Sequence, residues 1–474
     1  MDLPDKIGIL GLGSSGVAAC RALINRDDSP INIIAADEKT LSDLPLRDRI
    51  ADLQEKGLEV VTGPGSFDKV ARRGLPLIVL SPGIPKVHPV VSLLAQSGTT
   101  LWSELELGYR LLPTRPFIIA VTGTKGKGTT VRMIGSILEV SGIPSVIGGN
   151  IGRPLCDLLQ EASNAKVLVL EVSSFQLAFV DSFRPDVAVF TCFFPDHLDW
   201  HPSLEDYRES KEKIFQNQKP SDWAVLNADD PSVVRMAAKV MGRIMWCGKS
   251  VAESCPYCTH WARSDDEYLW VSMGAHEFPV CRWSQFPFRG LHNRYNALLA
   301  VGAALLAGAD PGAVADGLTK TPQVRHRLEI VGQINGVTFV NDSAATVPEA
   351  VGVALESFQE PIHLIAGGRS KGTHWEKVLK TIKERVVAVY GIGSSGRDLC
   401  EVIRKKLLKD SLYCETLDEA VKKAFERAKA GEVILLSPGS ASFDQFRSYE
   451  ERGDRFCHLV ADLQKESVKS EKGD

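Results

Sequence analysis

No stretch of this 474-residue chain is apolar for long enough to span a membrane, and the mean hydropathy of −0.04 fits that reading. The opening MDLPDKIGIL has no basic segment ahead of its apolar run, so no secretory leader is expected. Neither sign of charge dominates: 55 Lys and Arg against 59 Asp and Glu leave a net charge of −4, which gives no basic surface for nucleic acid. Cysteine is sparse and scattered, 10 in all, as suits a reducing cytoplasm. The one exception is Cys255 and Cys258, with His260 close behind and Cys247 and Cys281 flanking. One pair does not make a four-ligand zinc site, so these read as surface hairpin cysteines. With 44% hydrophobic residues, the chain can bury real cores, and its length suggests about three domains.

What the chain does have is a phosphate loop. FIIAVTGTKGKGTT, residues 117–130, is a buried apolar strand, a turn containing Gly123, Gly126 and Gly128, and the start of a helical run. Glycines there let backbone N–H groups face an anion at a helix N-terminus. Lys127 can reach β- and γ-phosphates, and a threonine hydroxyl can hold Mg²⁺. The spacing departs from the strict Walker form, because Gly128 stands directly after the lysine where Ser or Thr is usual.

Before this loop, Gly11-Leu12-Gly13-Ser14-Ser15-Gly16 follows the strand Lys6–Leu10, and Asp37 ends the next strand. That is the pattern of a Rossmann half, although the same turn serves any nucleotide diphosphate. LIVLSPGIP (77–85) is a buried strand ending in a Ser81-Pro82-Gly83 turn. After the phosphate loop come GGNIGRP (148–154), the strand KVLVLEVSSFQL (166–177) with Glu171, and VAVFTCFFPDHLDWH (187–201). The last runs into a loop holding Asp196, His197, Asp199 and His201. A helical run containing Lys211, a strand ending at Asn227, a β-rich segment over roughly 243–288 and an alanine-rich helix with Asn293 and Asn296 complete the middle. The last third repeats βα units, with a second G-x-G-x-x-G at 391–396 that reads as a structural turn and an LSPG at 436–439. The fold class is therefore α/β with three domains. These are an N-terminal Rossmann-like domain (1–112), a central P-loop domain with a mostly parallel sheet (113–320) and a C-terminal Rossmann-like domain (321–474), whose polar tail from 465 is expected to be disordered.

A buried strand ending in Glu171 needs a partner for its carboxylate, and carboxylates with phosphates suit Mg²⁺. TGTKGKGTT, GGNIGRP, LEVSSFQL, PDHLDWH with YRESKEKIF, LNADD, GLHNRYN, RHRLE, NDSAAT and LLSPGSASFDQF occur in the order seen in the Mur ligases, which the chain resembles from about Gly11 to Gly453. The resemblance implies ATP-dependent amide formation through an acyl phosphate, in cytoplasmic synthesis of the peptidoglycan precursor. The GLGSSG and SPGIP segments and the C-terminal ASFDQF with Tyr449 are most similar to the D-glutamate-adding branch, whose acceptor is UDP-N-acetylmuramoyl-L-alanine.

Carried over to this sequence, the resemblance implies Ser14, Ser15, Lys39, Ser81 and Gly83 at the UDP end, with Asn150, Gln176 and His197 along the rest of that substrate. Gly123 through Thr130, that is Gly123, Thr124, Lys125, Gly126, Lys127, Gly128, Thr129 and Thr130, would cradle the phosphates. Thr129 and Glu171 would hold one Mg²⁺; His197 and a carbamylated Lys211 would hold a second. Asn293, Asn296 and Asp342 would meet the nucleoside and Arg327 the γ-phosphate. Thr346, Lys371, Ser442, Phe443 and Tyr449 would receive the D-glutamate. Lys127, Glu171, His197, Lys211 and Arg327 are the catalytic candidates, in a monomer whose partners are small molecules only. Four positions depart from the pattern: Gly128, Lys125 in place of asparagine, Ala344 in place of lysine and Tyr449 in place of phenylalanine. The GKG form also occurs in folylpolyglutamate-type ligases, so the alternative is a related ligase using L-glutamate, another amino acid or another acceptor.

Overall fold

The computed structural model describes residues 3–26, 31–249, 251, 258–274, 276–369 and 375–471, with side chains as far as 467. Lys371 and Cys255 lie outside the described residues. The structure contains three sheets, each built by α/β alternation. In the first, β1 (Lys6–Leu10), β2 (Asn32–Asp37), β3 (Glu59–Thr62), β4 (Leu77–Leu80) and β5 (Thr100–Ser103) are parallel in the order β3-β2-β1-β4-β5. The chain therefore reverses its direction of travel beside β1, and the crevice at the carboxyl ends of β1 and β4 is the place where such sheets bind ligands.

The second sheet has nine strands: β6 (Phe117–Thr122), β7 (Ser145–Gly149), β8 (Val167–Glu171), β9 (Val187–Phe190), β10 (Trp223–Asn227), β11 (Arg243–Gly248), β12 (His260–Ser264), β13 (Tyr268–Met273) and β14 (His276–Arg282). Their order is β14-β13-β12-β11-β10-β9-β6-β8-β7, parallel from β7 through β12 and antiparallel at β12–β13 and β13–β14. β6 lies between β8 and β9, so the phosphate loop, Glu171 and the 191–201 segment all leave the same edge of the sheet. Every residue of β8 and β9 is buried, as expected for interior parallel strands with a covered face on each side.

The third sheet is β15 (Glu329–Ile334), β16 (Val337–Asn341), β17 (Ile362–Gly367), β18 (Val386–Ile392), β19 (Asp410–Glu415) and β20 (Val433–Leu436), in the order β15-β16-β20-β17-β18-β19, with only β15–β16 antiparallel. Its strands feed two cores in alternation: Ile362, Leu364 and Ala366 face one, and Ile365 faces the other. The chain divides into two compact units, Met1–Pro287 with Arg294–Thr321, and Phe288–Asn293 with Pro322–Asp474.

One expectation is corrected. The run 166–177 is not one strand: β8 stops at Glu171, and Ser174–Leu177 is a helical turn. Ser173 caps that turn and Gln176 bonds back to Ser173, the reciprocal arrangement of an S-x-x-Q box. The last helix runs Tyr449–Glu471. Alternating apolar contacts carry it, with Phe456 and Val460 fully buried in the third sheet's core.

Candidate active site

The phosphate loop opens at Gly123 (φ 142°) and closes at Gly126 (φ 85°), which precedes the helix Lys127–Val140. Both glycines are required by space as well as by φ. A Cβ on Gly123 would stand 1.9 Å from Thr191 Oγ1, and one on Gly126 would stand 2.3 Å from Asn296 Oδ1. Gly123→Ala is therefore expected to weaken ATP binding about tenfold or more, read by calorimetric titration of the nucleotide. Unchanged affinity would mean that the loop does not meet the phosphates.

Two lysines converge on the loop. Lys127 Nζ donates to the carbonyls of Gly123 (3.0 Å) and Thr124 (3.2 Å), and Lys211 Nζ donates to the same Gly123 carbonyl at 2.8 Å. Lys211 is 2% exposed, and its amine lies over the Tyr207 ring. Burial first, then the nearby Lys127 charge, holds the Lys211 pKa well below the ordinary lysine value. Burial also lowers that of Lys127. Two amines sharing one carbonyl make a pocket of positive potential suited to an anion. Lys211 reaches it from the helix Leu204–Glu212, whose N-terminus is capped by Ser203.

Glu171, at the end of β8, accepts from Asn150 Nδ2 at 2.7 Å, the partner its burial demanded. Its Oε2 lies 3.0 Å from where a Cβ on Gly128 would be, so the glycine that departs from the Walker pattern leaves room for this carboxylate. Thr130 is buried and its hydroxyl donates to Gly126 O, whereas Thr129 is half-buried in the same turn. His197 is exposed in a left-handed turn (φ 54°), its ring edge-on to Phe175. Burial, opposed by Asp196 and reinforced by Lys125, lowers its pKa and favours the neutral, ligating imidazole.

Mg²⁺ fits this donor set: a carboxylate, a hydroxyl and a neutral imidazole. Among the described residues, no three His, Cys, Asp or Glu side chains converge as a metal cluster.

Several candidates have other work. Thr124 N–H donates to Cys192 O at 2.8 Å, and its hydroxyl exchanges bonds with Phe194 and accepts from Tyr207, so Thr124 fastens the loop to the 192–194 segment. The Gln176 side-chain oxygen is committed to the Ser173 cap. Lys125 pairs with Asp196 at 3.1 Å. In the first sheet, Asp37 accepts from Leu12 N at 2.8 Å and from Lys39 N at 3.0 Å, so it ties the glycine turn down. Gly11 packs against Ser81 across β1 and β4, and Ser14, Lys39 and Gly83 are exposed around that crevice, with Ser15 half-buried.

In the second unit, Asn293 Nδ2 donates to Arg289 O at 2.7 Å. Arg327 is exposed next to His326 and Leu328, both with positive φ. Asp342 accepts from Ser437 Oγ (2.8 Å) and Leu328 N (3.2 Å), and burial pushes its pKa up to about 7. Thr346 and Phe443 are exposed, Tyr449 is half-buried and Ser442 is 2% exposed. Sequence reasoning missed Arg452, which is 1% exposed. It donates to Ser343 Oγ, Ser343 O and Ser440 O at 3.0–3.1 Å, joining the 341–346 loop to the 437–442 loop. Nothing in a charged stretch such as YEERGDR marks which arginine turns inward.

Residues 121–304 match the Mur ligase middle domain, and residues 326–439 match the Mur ligase, glutamate ligase domain. The chain is 37% identical over 467 residues to the UDP-N-acetylmuramoylalanine--D-glutamate ligase of Pelotomaculum thermopropionicum, covering 97% of this chain and 98% of that protein. It is 36% identical over 471 residues to the protein of the same name from Koribacter versatilis, covering 99% and 100%. Among solved structures it resembles a pseudomurein peptide ligase type C from Methanothermus fervidus, with a TM-score of 0.54, 20% identity and coverage of 97% and 99%. It also resembles a UDP-N-acetylmuramoyl-L-alanyl-D-glutamate--2,6-diaminopimelate ligase, with a TM-score of 0.57, 18% identity and coverage of 82% and 92%. At those identities the structural likenesses speak for the fold.

Proposed function

The chain belongs to the Mur ligase family, and on that premise we propose that it joins D-glutamate to UDP-N-acetylmuramoyl-L-alanine in peptidoglycan precursor synthesis. It is an ATP-dependent ligase that forms an amide bond and requires Mg²⁺, and its substrates are small molecules. No helix among the described residues is long and apolar enough to cross a membrane. The reading places the enzyme in the cytoplasm as a monomer, with domains over 1–112, 113–320 and 321–474. The observation that carries the site assignment is the meeting of Lys127 and Lys211 on the Gly123 carbonyl, beside the edge where Glu171 emerges.

Lys127 exchanges its carbonyl bonds for β- and γ-phosphate oxygens, following the stronger charge-assisted acceptor. Thr129 and Glu171 would hold one Mg²⁺, and His197 and carbamylated Lys211 a second, and ions held there would supply positive charge against the phosphates. Asn150 keeps the Glu171 carboxylate oriented, and His197 lines the path of the acceptor carboxylate, which becomes an acyl phosphate before the amine of glutamate displaces phosphate. Arg327 offsets the charge that develops on the γ-phosphate. Asn293, Asn296 and Asp342 serve the nucleoside, and Lys371, Thr346, Ser442, Phe443 and Tyr449 the glutamate. Ser14, Ser15, Lys39, Ser81 and Gly83 serve the UDP end, with Gln176 beyond them.

The test is phosphate release from ATP with Mg²⁺, UDP-N-acetylmuramoyl-L-alanine and either enantiomer of glutamate. Release with D-glutamate alone is the expected result. Release with L-glutamate reassigns the amino-acid pocket, and release with neither overturns the choice of acceptor.

A further inference from the structure

Trp200 and His201 close the turn that presents His197: their backbone N–H groups both donate to the His197 carbonyl, at 3.1 and 3.0 Å. The His201 ring is buried at 1% exposure between two polar partners, with Nδ1 2.7 Å from Asp206 Oδ2 and Nε2 3.0 Å from Ser174 Oγ. A carboxylate only accepts, so Nδ1 carries the proton and Nε2 accepts from the Ser174 hydroxyl. Phe175 packs on all three rings, with centroids 5.0 Å from His197, 4.6 Å from Trp200 and 5.8 Å from His201.

Asp206 has a second attachment. Its Oδ1 pairs with Lys86 Nζ, and Trp200 Nε1 donates to Pro82 O at 2.9 Å. Pro82 and Lys86 both belong to the loop that follows β4 in the first sheet. Asp206 also sits in the first turn of the helix that carries Lys211. One chain of contacts, Lys86–Asp206–His201–Ser174, thus runs from the substrate-side sheet to the turn holding His197.

We propose that His201 and Asp206 are positioning residues that fix the His197 turn, and that Lys86 couples this to the loop after β4, so that the two sheets set the turn together. The inference rests on the reading above that places His197 at Mg²⁺. Partners that orient a ligand without touching the metal are worth about ten- to a hundredfold in affinity or activity.

The test compares wild type with His197→Ala, His201→Asn, Lys86→Met and the Lys86→Met/His201→Asn double variant. ADP affinity is measured by calorimetry with and without Mg²⁺, beside kcat, KM and melting temperature. His201→Asn is expected to lower the Mg²⁺-dependent gain in ADP affinity about tenfold, as His197→Ala does, with the Mg²⁺-free affinity unchanged. Its kcat should fall by a similar factor, and the double variant should lose no more than the worse single one. Additive losses, or a fall in melting temperature with an intact Mg²⁺-dependent gain, overturn the proposal. If His197→Ala leaves that gain unchanged, the metal reading of His197 fails instead, and non-additivity of kcat between Lys86 and His201 alone decides the coupling. Should His201→Asn not fold, Asp206→Asn keeps an acceptor for Nδ1–H while removing the charge that holds Lys86. It must then be non-additive with Lys86→Met.

Discussion

Lys211→Ala is expected to reduce kcat for phosphate release about a thousandfold, the scale of losing a group aimed at developing charge in a water-poor site. A short carboxylate such as formate or acetate should restore part of the lost activity. The argument starts from burial. Lys211 is 2% exposed, and burial with the neighbouring Lys127 charge lowers its pKa well below the ordinary value. The lower pKa leaves a larger share of the amine with a free lone pair at any given pH. In the proposed reading the neutral amine attacks carbon dioxide, forming an N–C bond and releasing a proton, which leaves a carbamate in place of the amine. A carbamate there would carry negative charge beside the Gly123 carbonyl and would offer Mg²⁺ an oxygen donor where the amine offers none. Falling pH acts in the opposite direction, because protonation of the amine removes the nucleophile. Activity of the wild type should accordingly fall on exhaustive removal of carbon dioxide, and Lys211→Arg should remain inactive with or without carboxylate. A Lys211→Ala variant retaining most of its activity would remove Lys211 from the reaction. Loss without rescue would keep its charge important and discard the carbamate.

The local parts of this site were legible in the sequence, and its long-range parts were not. The strand–glycine–helix unit at 117–130 is specified by neighbours in sequence, and it formed as read, with Gly123 and Gly126 at positive φ. The burial of Glu171 followed from VLVLEV, and so did its need for a partner, although nothing local named Asn150. What sequence reasoning lacked was the use to which polar residues are put across the fold. Asp37 has the spacing of a ribose ligand, yet it ties down Leu12 N, because β1 and β2 bring its carboxylate beside the glycine turn. Thr124 belongs to a phosphate loop by position, yet its hydroxyl is held by residues about 70 and 83 places away. The S-x-x-Q signature at Ser173–Gln176 was present and sufficient to end the strand at Glu171, and continuous apolarity alone concealed it. The Lys86–Asp206 pair spans 120 positions, and no spacing rule reaches that far.

Glu106→Gln is expected to destabilise the protein by about 3 kcal/mol, the scale of disrupting a buried charge together with its donors. Glu106 is fully buried in the helix Glu104–Leu111, which ends the first sheet's last βα unit, and its carboxylate fastens that helix to the central domain. Asp181 N and Phe183 N donate to Oε2 at 3.0 Å, Ser182 N and Oγ donate to Oε1 at 2.9 and 2.6 Å, and Arg110 Nε adds a charged bond. A glutamine keeps one acceptor oxygen and turns an NH₂ group toward donors, so at least one buried N–H loses its partner. Burial raises the Glu106 pKa, but the bonds from Ser182, Asp181 and Arg110 outweigh it, and the folded value lies below the ordinary one. The folded state therefore binds this proton less readily than the unfolded chain does. Its contribution is full above the unfolded carboxyl pKa of about 4.3 and is lost as pH falls through the folded value. Urea unfolding should show both effects: a lower midpoint for Glu106→Gln at neutral pH, and a gap from wild type that narrows as the pH drops below about 4.3. A gap independent of pH would mean that packing at this position, and not the charge, holds the helix to the 181–183 turn.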